Sequence, residues 1–248
     1  MFTKSLLHFD NNPFKDLSYQ VEFEDITKGR MGTILVSTDD EMIPIIRTTT
    51  KYKNPVQKFN NSHFDLIKKI KESYQINDLD FNNGMIEIYD SSYYKMGFHT
   101  DQSLDLQDNS YICLFSCYDN PDNTKDYRKL KVINKLTNEQ TEIILEHNSA
   151  VLFSTNNNKK HKHKIVLDPP NNSNTKWLGI TLRLSKTFVK FINNLPYIYP
   201  NNKILKLAND DEQKEFYINK SKENKEINHT YPDINYTISP SDLLQIKD

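Results

Sequence analysis

Only two cysteines occur in this chain of 248 residues, Cys113 and Cys117, and both sit in one apolar run. So low a count excludes a disulfide scaffold and makes a reducing compartment the expectation. Long hydrophobic stretches are missing from the opening "MFTKSLLHFDNNPFKDLS". Neither a signal peptide nor a membrane span is expected there, and the sequence reads as an intracellular chain, cytoplasmic or nuclear, with no membrane partner. Net charge is nearly absent, because 32 Lys and Arg face 33 Asp and Glu, which gives −1. A protein that holds duplex phosphate by bulk charge is clearly basic, so any nucleic-acid contact must come from a local patch. Glycine is scarce, at five residues, while Asn and Lys abound. That pattern reads as coding bias rather than function.

Fourteen tyrosines and thirteen phenylalanines, with 36% apolar residues overall, can fill a sizeable core. The length suits one large domain or two small ones, and all-β units often use this many residues. "GTILVS" and "MIPIIRTTTKY" look like strands, being rich in β-branched residues. "NSHFDLIKKIKESYQI" predicts a helix, with Phe64, Ile67, Ile70 and Tyr74 at helical spacing and Ser62 as N-cap. From residue 81 onward, seven strand-like segments follow one another: 85–89, 110–118, 129–134, 141–146, 150–155, 163–168 and 177–185. Asn, Asp, Pro and Lys clusters separate them as turns. No helix pattern is evident among these segments. The spacing predicts an antiparallel sandwich or a jelly-roll barrel. After Asn201 the chain turns charged and polar, which reads as a peripheral extension, partly disordered or partner-dependent.

Chemistry concentrates in "KMGFHTDQSLD" (95–105), where His99 and Asp101 stand two apart. Two histidines and one carboxylate can hold a metal on one face and leave its other positions open. The second histidine has several candidates. His8, His63 and His229 lie outside the strand-rich region, and His147 reads as a turn residue. His161 and His163 open one strand two residues apart and share its face, so either could be the third ligand. Strand parity in "WLGITLRLS" puts Trp177, Gly179, Thr181 and Arg183 on one face and Leu178, Ile180 and Leu182 on the other. A buried Arg183 needs an anion, either a protein carboxylate or that of a co-substrate. The same parity places Met85, Glu87 and Tyr89 together, and the Tyr89 phenol requires a hydrogen-bond partner.

These residues carry a resemblance. "FNNGMIEIYDSSYYKMGFHTD" (81–101) is similar to the AlkB-like branch of the Fe(II)/2-oxoglutarate dioxygenases, with Phe81, Asn82, Tyr89, Gly97, His99 and Asp101 in pattern without a gap. "ILEHNSAVLFS" (144–154) resembles the family's turn and following strand, and "ITLRLS" (180–185) resembles its last strand. "IPIIRTTTKY" (43–52) is loosely similar to its nucleotide-recognition lid. The resemblance implies a mainly β (α+β) fold with a double-stranded β-helix, or jelly-roll, core at 81–190. Residues 1–80 would supply lid-like strands and a supporting helix packed on that core, and 191–248 a polar C-terminal extension. Fe(II) would be held by His99, Asp101 and His163. Arg183 would anchor the distal carboxylate of 2-oxoglutarate, Tyr89 would donate a hydrogen bond to it, and Arg47 and Tyr52 would contact substrate. The implied activity is oxidative demethylation of N-methylated bases in single-stranded or flipped-base nucleic acid. The alternatives are hydroxylation of a protein side chain or small molecule on the same fold, or a non-catalytic binding module. The sequence departs from the family at Glu87, where an Asn is usual, and at Trp177, where a first arginine is usual. Lys176 is adjacent to Trp177 but belongs to the other face. Gln102 and Ser103 replace the acidic residues that often follow the H-x-D.

Overall fold

The computed structural model describes residues 1–38 and 41–246, which form mainly antiparallel sheets with few helices. In chain order the first strands are β1 (Thr3–Leu6), β2 (Glu24–Thr27), β3 (Arg30–Val36), β4 (Ile43–Pro44), β5 (Gln57–Lys58) and β6 (Asn83–Tyr89). They are followed by β7 (Tyr111–Tyr118), β8 (Arg128–Asn134), β9 (Gln140–Leu145), β10 (Ser149–Ser154), β11 (His161–Val166) and β12 (Trp177–Arg183). The last are β13 (Phe188–Ile192), β14 (Leu195–Tyr199), β15 (Lys203–Ile204), β16 (Lys206–Leu207) and β17 (Tyr236–Thr237). The helices are α1 (Phe14–Ser18), α2 (Asn61–Tyr74), α3 (Thr155–Lys160) and α4 (Asp210–Lys225). None of the described helices is long and apolar enough to cross a membrane.

The large sheet runs β1-β10-β7-β12-β6-β3-β2, with β5 also paired to β3. A smaller sheet runs β11-β8-β9. They meet through Tyr89, Leu114, Tyr118, Val151 and Trp177 from one and Leu130, Val132, Leu145 and Ile165 from the other. Helix α2 covers the opposite face of the large sheet. There Leu66, Ile67 and Ile70 meet Ile86, Cys113, Phe115, Cys117, Leu178, Ile180 and Leu182. Strand β7 is therefore buried on both faces, which is why "YICLFSC" reads as a continuous apolar run rather than an alternation. Its two thiols are free and buried. The N-terminal strands β1, β2 and β3 belong to this same large sheet.

Helix α2 forms where the periodicity places it, with two corrections. Its N-cap is Asn60, not Ser62: the Asn60 side chain accepts from His63 N, and Asn60 N donates to the His63 ring. Its buried stripe is His63, Leu66, Ile67 and Ile70, while Phe64 stays 47% exposed. Burying each such Leu or Ile contributes about 1.5–3 kcal/mol.

One short helix and a small sheet lie outside the strand pattern expected from the sequence. Helix α3, of sequence TNNNKK, sits between β10 and β11, capped by Ser154. Strands β13, β14 and β15 form a separate sheet with β4. The segment after Asn201 is not a peripheral tail in the structure. Helix α4 is closed by a capping box between Asn209 and Glu212. Its Phe216 is fully buried beside Ala208, Ile234, Tyr236 and Ile238. Lys135, in the β8–β9 turn, donates to the Glu223 and Glu226 carbonyls at its C-terminal end, which satisfies groups the helix leaves unpaired.

Candidate metal centre

His99 lies just outside the regular strands, yet its N and O both bond to His163 of β11, at 2.9 and 2.7 Å. This isolated antiparallel bridge puts the two rings on one face, with centroids 4.6 Å apart. Asp101 follows two residues later and returns to the same face. Its Oδ1 lies 3.7 Å from His99 Nε2 and 3.5 Å from His163 Nε2. One ligand atom from each of the three falls within 4.8 Å of the others, so the group could hold a metal ion.

Protonation favours that use. His99 Nδ1 faces the Gly97 carbonyl at 3.1 Å. A carbonyl only accepts, so the proton belongs on Nδ1 and the Nε2 lone pair faces the triad. Burial, with His163 alongside, pulls His99 down to about 3. Its ring keeps 32% exposure toward the cavity, and water reaching it softens the effect. Burial alone would raise Asp101, but hydrogen bonding and attraction from His163, Arg183 and His99 prevail and hold it well below the usual carboxylate range. His161 is held apart: its Nδ1 meets the Asn157 carbonyl at 2.8 Å and its ring edges onto Phe2.

The loop that carries His99 and Asp101 is braced from two sides. Asn158 of α3 makes a reciprocal pair with Asp101, accepting from Asp101 N at 2.9 Å and donating to Asp101 O at 2.7 Å. From α4, Asn224 accepts from Thr100 N, Lys220 donates to Thr100 O, and Glu223 accepts from Ser103 N and Oγ. Glu223 also receives Tyr231 Oη and pairs with Lys220. Burial lowers the pKa of Lys220. None of these four bracing residues carries a sequence signal. Asn158 lies in an Asn-Lys run, and Lys220, Glu223 and Asn224 lie in a charged stretch without apolar rhythm.

Two cavities adjoin the triad. The outer one is about 310 Å³ and reaches the surface. Arg30, Thr48–Thr50, Glu87, Phe98, Arg183 and Lys220 line it together with His99 and Asp101. The inner one is about 40 Å³ and lies between the sheets. Its lining includes Met85, Met96, Leu114, Leu130, Phe153 and Ile165, with Glu87, Tyr89, Thr181 and the three triad residues.

Strand parity is observed as expected: Glu87, Tyr89 and Thr181 face the cavities, while Ile86, Ile180 and Leu182 face α2. Arg183 is 2% exposed, its Nη1 3.7 Å from Asp101 Oδ2. Its Nε and Nη2 have no hydrogen-bond partner among the described residues. Tyr89 is fully buried, and its phenol donates to Glu87 Oε2 at 2.6 Å. The other Glu87 oxygen receives Arg30 Nε at 2.7 Å. Glu87 has glycine opposite it on both sides, Gly32 of β3 and Gly179 of β12. A Cβ on Gly32 would come within 3.1 Å of Glu87 Cγ, and one on Gly179 would strike the Trp177 ring at 2.0 Å. Both glycines make room for a large neighbour. Lys176 is exposed, and its backbone N bonds to Asp119.

The residues expected at substrate are placed differently. Arg47 does not reach either cavity. Its guanidinium forks onto Asp105 at 2.7 and 3.0 Å and donates to the Ile234 and Tyr236 carbonyls. A buried carboxylate so near makes an internal pair the better use of that fork. Tyr52 is 3% exposed, with its hydroxyl near Gly32 and without a hydrogen-bond partner among the described residues.

No protein-family model matches the chain, and no curated protein does. Among solved structures, the rice AlkB homologue described as "The structure of OsALKBH1" matches at 12% identity, covering 74% of this chain and 97% of that one, with a TM-score of 0.47. So distant a likeness leaves the site to stand on its own geometry.

Proposed function

We propose that the chain is a mononuclear Fe(II) oxygenase of the AlkB-like, 2-oxo-acid-dependent kind, built on a jelly-roll core of the two facing sheets. The observation that carries this reading is the His99–Asp101–His163 triad between an open cavity lined by His99 and Asp101 and the inner one that all three line, with Arg183 presenting unpartnered donors beside it. The donor set suits Fe(II): two imidazoles and a carboxylate, with room for other ligands. Iron bound there would supply oxygen activation and the oxidation of a substrate C–H bond. The chain supplies position. Asn158 and α4 fix the ligand loop, and the buried walls keep water from the inner side.

2-Oxoglutarate, the co-substrate implied by the resemblance, fits in part. Arg183 suits the carboxylate next to the metal rather than the distal one expected for it, because its Nη1 lies 3.7 Å from Asp101 Oδ2. The far carboxylate meets Glu87, which already holds the Tyr89 phenol.

The substrate reading is an N-methylated base in nucleic acid, which oxidation of the methyl group would release as formaldehyde. The outer cavity falls within the size of small-molecule sites. At its mouth Phe98 lies under Lys164 Nζ, 4.3 Å from the ring centroid, a stacking face with a cation. The alternative, a protein side chain or small molecule, draws support from Arg47 being internal rather than free for phosphate.

Calorimetry with Fe(II) under argon, or with Mn(II), should show one tight site that His99→Ala, Asp101→Ala and His163→Ala each abolish. Absence of any metal site would sink the oxygenase reading. Methylated single-stranded oligonucleotides should release formaldehyde. Failure there with metal bound would favour the alternative substrate classes.

A further inference from the structure

The cations around the triad differ in what they have left to offer. Arg30 is committed to Glu87 and Thr50. Lys220 is committed to the Thr100 carbonyl and Glu223. Arg128 lies behind the inner cavity over the faces of Tyr89 and Trp177, and its Nη1 and Nη2 donate to the Tyr93 and Asp90 carbonyls. Arg183, beside Asp101, keeps open donors. Among the described residues, the buried cation with unpartnered donors is therefore Arg183, at the metal end of the pocket and not at its far end.

The far end is closed to charge in other ways. The inner cavity is small, about 40 Å³, well below the few hundred Å³ of a drug-sized ligand site. Six of its lining residues are apolar: Met85, Met96, Leu114, Leu130, Phe153 and Ile165. The polar group deepest in it, the Tyr89 phenol, donates to a carboxylate the protein itself supplies. Trp177 occupies the space over Gly179. A second carboxylate brought here would meet the negative charge of Glu87 and would be buried without a partner, which is strongly unfavourable.

We infer that the pocket selects a small monocarboxylic 2-oxo acid with a short apolar tail rather than a dicarboxylic one, and that Glu87 is the specificity-determining residue. The carboxylate of the ligand lies with Arg183 and its tail enters the inner cavity. Glu87 stands in for the distal carboxylate of a longer acid. This rests on the metal-site reading above.

The test uses the full chain loaded with Mn(II) and titrated calorimetrically with pyruvate, 2-oxobutyrate and 2-oxoglutarate. The two short acids should bind at least about tenfold more tightly than 2-oxoglutarate. Glu87→Asn frees both Arg30 and the Tyr89 phenol, and should move the preference toward 2-oxoglutarate by at least about tenfold. Glu87→Gln keeps the shape and removes the charge, and should shift it the same way, so that a fold lost in one variant does not decide the matter. Tighter binding of 2-oxoglutarate by the unaltered chain, or a preference unmoved in folded variants, overturns the assignment while leaving the metal site intact. Failure of Mn(II) to bind overturns both.

Discussion

His99 and His163 each donate a backbone hydrogen bond to the other, so the two imidazoles are held by the main chain before any metal is considered. Directly opposed residues of an antiparallel pair point the same way. The spacing of the candidate ligands is thus a property of the sheet edge, and it persists when the rings themselves are exchanged for other side chains.

This geometry makes the metal-free protein sensitive to acid. The pKa of His99 is held near 3 by burial and by His163, below the unfolded value of about 6.5. Between those values the unfolded chain binds more protons than the folded one, so stability is lost as pH falls through the window. His63 and His147, both lowered by burial, push the same way. The urea midpoint of the metal-free chain should drop between about pH 6.5 and pH 4.5, and His99→Gln should make the slope shallower. Equal slopes would show that His99 does not titrate with unfolding.

Arg47 acts as a strut rather than a contact for substrate. Arg47→Ala leaves Asp105 buried without its cation and should cost about 3–5 kcal/mol, read by urea denaturation. Replacing both residues, as in Arg47→Met with Asp105→Leu, should recover much of the loss. A single variant within about 0.5 kcal/mol of the parent would contradict this role.

Glu223 links α4 to the ligand loop through Ser103, Lys220 and Tyr231. Glu223→Ala should weaken Mn(II) binding by about 10–100-fold without removing a ligand. Faster hydrogen exchange at the Ser103 amide should accompany it. Unchanged affinity with a faster amide would separate loop order from metal binding.

Gly179 accommodates the Trp177 ring. Gly179→Ala places a methyl group inside that ring's space and should destabilise by about 1–3 kcal/mol. The chain has one tryptophan, so its fluorescence reports the displacement directly. In the background of Trp177→Leu the same glycine change should be much milder, and a penalty that stays the same would place the strain elsewhere.

The core strands were legible because their residues alternate or, in β7, run continuously apolar between turn signals. The H-x-D pair was legible because it is local, whereas His161 and His163 stood as equal candidates at the start of β11 until the resemblance chose His163. Parity also placed Arg183, Glu87 and Tyr89 correctly relative to the sheet. It could not show that the Tyr89 phenol is taken by Glu87, since that depends on Arg30 arriving from β3. Helix α4 escaped because the stripe it buries is Phe216, Asn219, Lys220 and Glu223. One apolar residue in four gives no amphipathic signal; Lys220 and Glu223 find partners in a distant loop, and Asn219 bonds to the Glu215 carbonyl of its own helix. The ion pair of Arg47 was hidden for a similar reason: its partner Asp105 is named by the fold, not by sequence spacing.

The bracing of Thr100 by Lys220 and Asn224 spans 120 and 124 residues of chain. During synthesis both facing sheets would be complete before those residues leave the ribosome, while the ligand loop still lacked its anchors. The candidate ligand loop is therefore braced only late, once α4 has joined the sheets. A chain cut short after its sheets have formed should be compact and yet poor at taking up metal.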